Sequence, residues 1–257
     1  MKLKIASWNI AGGHTIKSLG HFDYQKEHID YFIGELRDLN PDIVLFQESH
    51  TSLDGKNIIA KKIAEQLGFA NVYNSPASPS HIDSEYLLGT AAISHLEFKR
   101  ATTVLFPDPE VPLFWKDGSP AVTHHKNLQI LDFGEFTVAN MQMLPVSLFG
   151  YTYDDKSYGG KLAQQINKIL ADNLKFEKLI VCGDFNFNNP SAIYPILEKL
   201  QLVDILPDET TRPSLDSQKK TPDHIYISKG IRKEKTEIIK THTDHYLCYA
   251  EISLEEK

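Results

Sequence analysis

The nine residues KLIVCGDFN, Lys178 to Asn186, decide how this chain folds. The apolar run Leu179-Ile180-Val181-Cys182 reads as a strand, and it breaks at Gly183 into a polar end, Asp184-Phe185-Asn186. Upstream, Leu162, Ile166, Ile169, Leu170 and Leu174 recur at helical spacing over 160–174. Downstream, Asn189-Pro190 forms a cap with proline at the first helical position, and Ile193, Ile196, Leu197 and Leu200 continue a helical face. Helix, strand, polar strand end and helix form the unit of a layered α/β protein. In such a fold, groups at strand ends converge on one site from distant parts of the chain.

The rest of the chain extends this alternation. Residues 3–10 and 42–48 read as buried strands. Ile29, Phe32, Ile33 and Leu36 place a helix over about 24–38, ended by Asn40-Pro41, and Ile59, Ile63 and Leu67 place another near 56–67. Further strand-like runs lie at 69–74, 87–94, 100–106, 121–124, 127–132, 136–142, 224–228, 231–240 and 246–252. So many strands exceed one doubly wound sheet, and the helices are too many for a plain β-sandwich. The expected fold is a four-layer α/β/β/α sandwich, two packed mixed sheets flanked by helices. With no repeat and no Gly-, Ser- or Pro-rich linker, one catalytic domain is expected over 1–257. The irregular segments near 75–86, 107–120 and 143–159 are candidate site loops.

With 41% hydrophobic residues the chain can bury a sizeable core, which excludes a disordered class. Its net charge of −7, with no long run of like charge, counts against a tight sequence-blind nucleic-acid binder, although a nuclease with a local basic groove remains open. Cys182 and Cys248 sit in apolar strand-like runs and are expected as free thiols. The first residues alternate charged and apolar side chains unlike a signal peptide, and no stretch approaches the roughly 18 apolar residues of a membrane helix. The expectation is a cytoplasmic protein with no membrane span and no obligate protein partner.

Polar residues gather at the predicted strand ends: Trp8-Asn9, Gln47-Glu48, Asp184 with Asn186, Asp223, and Asp244-His245. Singly each has an ordinary explanation as a turn, a solvated terminus or a satisfied core histidine. Together they supply the hard oxygen ligands and the histidine that magnesium-assisted phosphoryl transfer uses.

Ser7-Trp8-Asn9, Phe46-Gln47-Glu48, Gly183-Asp184-Phe185-Asn186, Asp223-His224-Ile225-Tyr226 and Thr243-Asp244-His245 resemble the ordered signatures of the endonuclease/exonuclease/phosphatase superfamily, which includes DNase I and the abasic-site endonucleases. The match runs over residues 5–252. The resemblance implies a DNase I-like fold and Mg2+ or Mn2+ held by Glu48, Asn9 and Asp244. It further implies that Asp184, steadied by Asn186, activates water, and that His245, oriented by Asp223, lies against the scissile phosphate. One position departs: two residues beyond Asn140, where the family commonly has histidine or tyrosine, this chain has Gln142, whose amide can donate a hydrogen bond but carries no charge.

Substrate signals are Arg212, Lys219 and Lys220 ahead of Asp223, for phosphate. Aromatics interleaved with carboxylates, Tyr151 in one loop and Trp115 in another, could stack on a base or a small organic group. The expected partner is a phosphoester, with nucleic acid or a nucleotide-like end first. An inositol phosphate or phospholipid headgroup comes second, and a noncatalytic binding module that keeps the fold is the rival from another class.

Overall fold

The computed structural model describes residues 1–18, 21–23, 27–107, 112–114, 118–121, 125–154, 156–214 and 219–255. In chain order the elements are β1 (Lys2–Asn9), a short hairpin of β2 (Ile16–Ser18) and β3 (His21–Phe22), α1 (Ile29–Leu39), β4 (Ile43–Ser52), α2 (Ile59–Leu67), β5 (Asn71–Pro79), β6 (Tyr86–Ser94) and β7 (Arg100–Leu105). They continue with β8 (Asn127–Asp132), β9 (Thr137–Gln142), α3 (Tyr158–Asn173), β10 (Leu179–Asp184), α4 (Ile196–Lys199), β11 (Val203–Asp204), β12 (Asp223–Ile227), β13 (Ile231–Ile239) and β14 (Leu247–Leu254).

Two six-stranded mixed sheets result, in the orders β13-β14-β1-β4-β6-β5 and β11-β12-β10-β9-β8-β7. Each contains one parallel pair at its heart, β1 with β4 and β9 with β10. The strands alternate what they bury. Leu3 and Ile5 of β1 face a core shared with Leu131, Val138, Ile180 and Cys182 of the second sheet, whereas Ala6 and Trp8 face Phe32, Leu36, Ile59 and Ile63 of α1 and α2. On the far side, Met141, Val181 and Tyr226 pack against Leu162, Ile166 and Leu170 of α3. Three apolar interfaces therefore separate four layers, as the count of strands and helices requires. Cys182 and Cys248 are free and buried in the central interface.

The central interface is not uniformly apolar. Gln47 of β4 donates to Asn140 of β9 at 2.7 Å, and Asn140 Nδ2 reaches Gln129 of β8 at 2.9 Å and the carbonyls of Phe46 and Ala91 at 3.1 Å each. This network fixes the two sheets in one register beneath their strand ends.

Several boundaries differ from the sequence reading. The first helix begins at Ile29, residues 24–26 lying outside the described ones. The helix expected after Asn189-Pro190 is reduced to a 3-10 turn, Pro190–Ala192, and the single turn α4, because Pro195 lacks the N–H needed to continue the ladder. Ser75–Pro79, read as loop, extends β5; its prolines are tolerated because β5 is an edge strand with a bulge between Pro76 and Ser78. Most of the strand expected at 121–124 lies outside the described residues.

Candidate active site

The registers of both sheets bring the polar strand ends to one level. In the second sheet Asp184 is paired with Gln142 on one side and Asp223 on the other. Gly183 makes this possible: its φ is +148°, and a Cβ there would overlap the Met141 carbonyl oxygen, so only glycine lets β10 run this close to β9. In the first sheet Asn9 pairs with Gln47, and Glu48 follows at a bulge between Phe46 and Ser49 with φ +51°. Bulge and left-handed backbone together turn Glu48 out of the strand's alternation and into the cleft. Asn186, with φ +54°, closes the turn after Asp184.

Asp184 is the hub. Its Oδ1 accepts from the Asn186 backbone N–H at 2.9 Å, and its Oδ2 accepts from Asn9 Nδ2 at 3.0 Å, Asn186 Nδ2 at 3.2 Å and Gln142 Nε2 at 3.4 Å. Asn186 is itself tied to the Met143 carbonyl at 2.8 Å. His245 Nδ1 lies 2.9 and 3.0 Å from the two oxygens of Asp223, while its Nε2 faces Asp184 Oδ2 at 3.8 Å and Asp244 Oδ2 at 3.9 Å. The turn that carries Asp244 and His245 is held by Thr243 Oγ1, which donates to the His245 carbonyl, and by the Trp8 indole N–H, which donates to both at 3.1 Å. Trp8 therefore anchors the turn of one motif from the strand of another.

These contacts set the charges. Burial acts to neutralise His245, but Asp223, Asp184 and Asp244 outweigh it and push its pKa up to about 9, so the ring is an imidazolium at neutral pH. Burial pushes the Asp184 carboxyl above its ordinary value despite the pull of His245, and it does the same to Asp244 against His245 and Arg212. Glu48 runs the other way. Burial would raise it, yet Lys126, His81 and the Gln142 hydrogen bond hold it down at about 2, a carboxylate at any physiological pH.

The side chains line a cleft of about 260 Å³ whose wall includes Glu48, Lys126, Asp184, Asn186, Asp244 and His245. Arg212 lies at its edge, donating to Asp244 Oδ2 at 3.2 Å, and also lines an adjoining cleft of about 350 Å³ with Phe187, Lys219 and Lys220. Among the described residues Asp244 Oδ1 is buried without a hydrogen-bond partner, and Asn9 Oδ1 accepts only the Ala11 N–H at 3.1 Å. Asp184, Asp223 and His245 offer ligand atoms within 4.8 Å of one another, but Asp223 spends both oxygens on His245 Nδ1, which suits a hydrogen-bonded chain better than a cation cage. The unsatisfied oxygen of Asp244, the anionic Glu48 and the spare lone pair of Asn9 suit a hard divalent cation.

Of the residues singled out from the sequence, Asn9, Glu48, Gln142, Asp184, Asn186, Arg212, Asp223, Asp244 and His245 are brought together. Tyr151 is not among the cleft-lining residues; it packs against the core under α3, edge-on to Tyr158 at 5.0 Å, because its ring finds apolar partners there. Trp115 lies outside the described residues. His81 and Lys126 line the cleft and carry no motif. Lys126 had one usable signal: it precedes β8, which runs antiparallel to β9 and so starts where β9 ends, beside Gln142.

Among solved structures the chain resembles an endonuclease/exonuclease/phosphatase from Beutenbergia cavernae DSM 12333, with TM-score 0.72, 14% identity, and 99% of this chain and 72% of that one covered. It resembles ANGEL2, described as a 2',3'-cyclic phosphatase (TM-score 0.64, 14% identity, 98% and 95% covered), and a mannosyl-6-phosphatase of Bacteroides thetaiotaomicron VPI-5482 (0.59, 14%, 98% and 100%). At these identities the likeness is one of fold. A comparison with curated proteins gives no match. No helix among the described residues is long and apolar enough to cross a membrane. The model of the Endonuclease/Exonuclease/phosphatase family matches residues 6–245, which takes in every strand end that lines the cleft, and the chain belongs to that family.

Proposed function

We propose that this protein hydrolyses a phosphoester with the help of Mg2+ or Mn2+, a nucleotide-like end being the first candidate substrate. The observation that carries the reading is the convergence of Asn9, Glu48, Asp184, Asn186, Asp244 and the Asp223–His245 pair around a single cleft. Glu48, Asp244 and Asn9 would hold the cation, which supplies Lewis-acid stabilisation of charge on the phosphoryl oxygens. Asp184, raised by burial and aimed by Asn9 and Asn186, orients the attacking water and takes its proton. His245, kept as imidazolium by Asp223, donates from Nε2 to a phosphoryl oxygen during in-line displacement.

The cleft's size supports a small substrate or a chain end over the middle of a duplex. At about 260 Å³ it falls below the usual 300–1,000 Å³ of ligand clefts, and the adjoining 350 Å³ with Phe187, Lys219 and Lys220 offers room for the remainder of the ester. A small phosphomonoester or phosphodiester, such as a sugar phosphate, an inositol phosphate or a phospholipid headgroup, is the second reading on the same grounds. The test is hydrolysis by the purified protein in Mg2+ or Mn2+ of single- and double-stranded DNA, RNA, 2',3'-cyclic and 5'-tyrosyl ends, mannose 6-phosphate, inositol phosphates and sphingomyelin. Metal-dependent cleavage of an end or a small ester is expected. No cleavage above an EDTA control would replace the enzyme with a binding module.

A further inference from the structure

We infer that Lys126 is a catalytic residue that binds the phosphoryl group as a fixed cation, and that Gln142 acts as its positioning residue. The inference rests on the phosphoesterase reading of the cleft and assigns a role to a lysine that no motif contains.

A glutamine amide has two N–H donors and one carbonyl. Both donors point at carboxylates, Nε2 lying 2.6 Å from Glu48 Oε1 and 3.4 Å from Asp184 Oδ2, and Oε1 accepts from Lys126 Nζ at 2.9 Å. The orientation is fixed by its neighbours: reversing the amide would set its N–H groups against an ammonium and its oxygen against two carboxylates. Gln142 therefore has no donor left for a phosphate, and it carries no charge to attract one.

Lys126 has what Gln142 lacks. Its side chain is 8% exposed, and that small opening is on the cleft. An ammonium has three N–H donors. One goes to Gln142; among the described residues the closest carboxylate oxygen, Glu48 Oε1, is 4.0 Å away, beyond hydrogen-bond reach. A buried lysine that only braced the fold would close on its carboxylate, because a desolvated ammonium without full hydrogen bonding is costly. Here the amide of Gln142 stands between the two charges and holds Nζ at the cleft wall, with two donors unspent among the described residues. A tetrahedral oxyanion supplies the acceptors this arrangement leaves unmet. On binding, Nζ donates to a non-bridging phosphoryl oxygen; no bond is made or broken at the lysine and no proton is transferred.

The experiment is calorimetric titration of inorganic phosphate into the full chain in Mg2+, alongside kcat on whichever phosphoester the parent cleaves. Lys126→Met removes charge and donor, whereas Lys126→Gln keeps a donor for Gln142 Oε1 and so retains the local packing if the methionine variant does not fold. Both are expected to lose tenfold or more in phosphate affinity, and Lys126→Arg to stay within about threefold. If Gln142 works through Lys126, Gln142→Ala weakens phosphate in the parent but adds nothing in Lys126→Gln. Phosphate binding by Lys126→Gln within twofold of the parent overturns the role of Lys126. Additive losses in the double variant overturn the positioning role of Gln142. A parent that hydrolyses esters normally while Lys126→Gln matches it sinks this inference alone; a parent that neither binds phosphate nor cleaves any ester sinks the phosphoesterase reading as well.

Discussion

Glu48 holds a left-handed backbone at the bulge of β4, a conformation that costs a non-glycine residue about 1–2 kcal/mol. The surrounding sheet imposes it, and the return is a carboxylate aimed into the cleft and kept ionised by Lys126 and His81. If that carboxylate holds the metal, Mn2+ at a hundred times its Kd stabilises the parent by about 2.7 kcal/mol. Glu48→Gln is expected to abolish most of the Tm increase with Mn2+ while the metal-free variant folds normally. An unchanged Mn2+ affinity by calorimetry would remove Glu48 from the metal site. At this scale the sequence was informative where chemistry and position coincide: a hard ligand at the polar end of a strand-like apolar run marks Asn9, Glu48 and Asp184. His81 and Lys126 lack such a context, because a lone histidine or lysine in a loop looks the same whether solvated or buried.

Pairing between elements decides two further properties. Asn140 of β9 ties the sheets together, and Asn140→Ala would take a donor from the carbonyls of Phe46 and Ala91 and from Gln129 Oε1, and an acceptor from the Gln47 amide, which keeps Ser7 Oγ at 3.2 Å. With unsatisfied buried groups costing about 1–3 kcal/mol each, a loss of about 3 kcal/mol in urea unfolding is expected, and a loss below about 1 kcal/mol would show that the network contributes little. The second pairing joins β11 and β12. His224 Nδ1 lies 2.6 Å from Asp204 Oδ2 and its Nε2 lies 3.1 Å from the Phe187 carbonyl, so both nitrogens face acceptors, which favours the protonated ring. Burial opposes this, but the Asp204 bond and charge win and the pKa rises above its ordinary value. The stabilisation is therefore complete below the unfolded pKa of about 6.5 and disappears as pH climbs through the raised folded value. The Tm gap between the parent and Asp204→Asn is expected to be widest at pH 5–6.5 and to narrow above it; a gap independent of pH would contradict the assignment. Periodicity located the long strands and α1 to α3, but not the hairpin of β2 and β3, the two-residue β11 or the bulges, which arise from tertiary pairing rather than local pattern.

The whole molecule is organised so that its site exists only when both sheets are packed. Asn9, Glu48, Asp244 and His245 come from the first sheet and its loops, while Gln142, Asp184 and Asp223 come from the second, and the Asn9–Asp184 hydrogen bond crosses between them. The number of strand-like runs set against the few helical ones was enough to derive four layers from the sequence. The cleft's dimensions, the adjoining pocket and the packing of Tyr151 against Tyr158 were not, since they depend on how side chains fill shared space. The role we propose for Asp184, given this convergence, is to activate water for phosphoester hydrolysis. It is tested most directly by comparing kcat of the parent and Asp184→Asn, in saturating Mg2+, on the ester the parent hydrolyses fastest. A loss of at least a hundredfold is expected, the usual worth of a positioned general base, with Mg2+ affinity little changed; turnover by the variant within threefold of the parent would contradict the account.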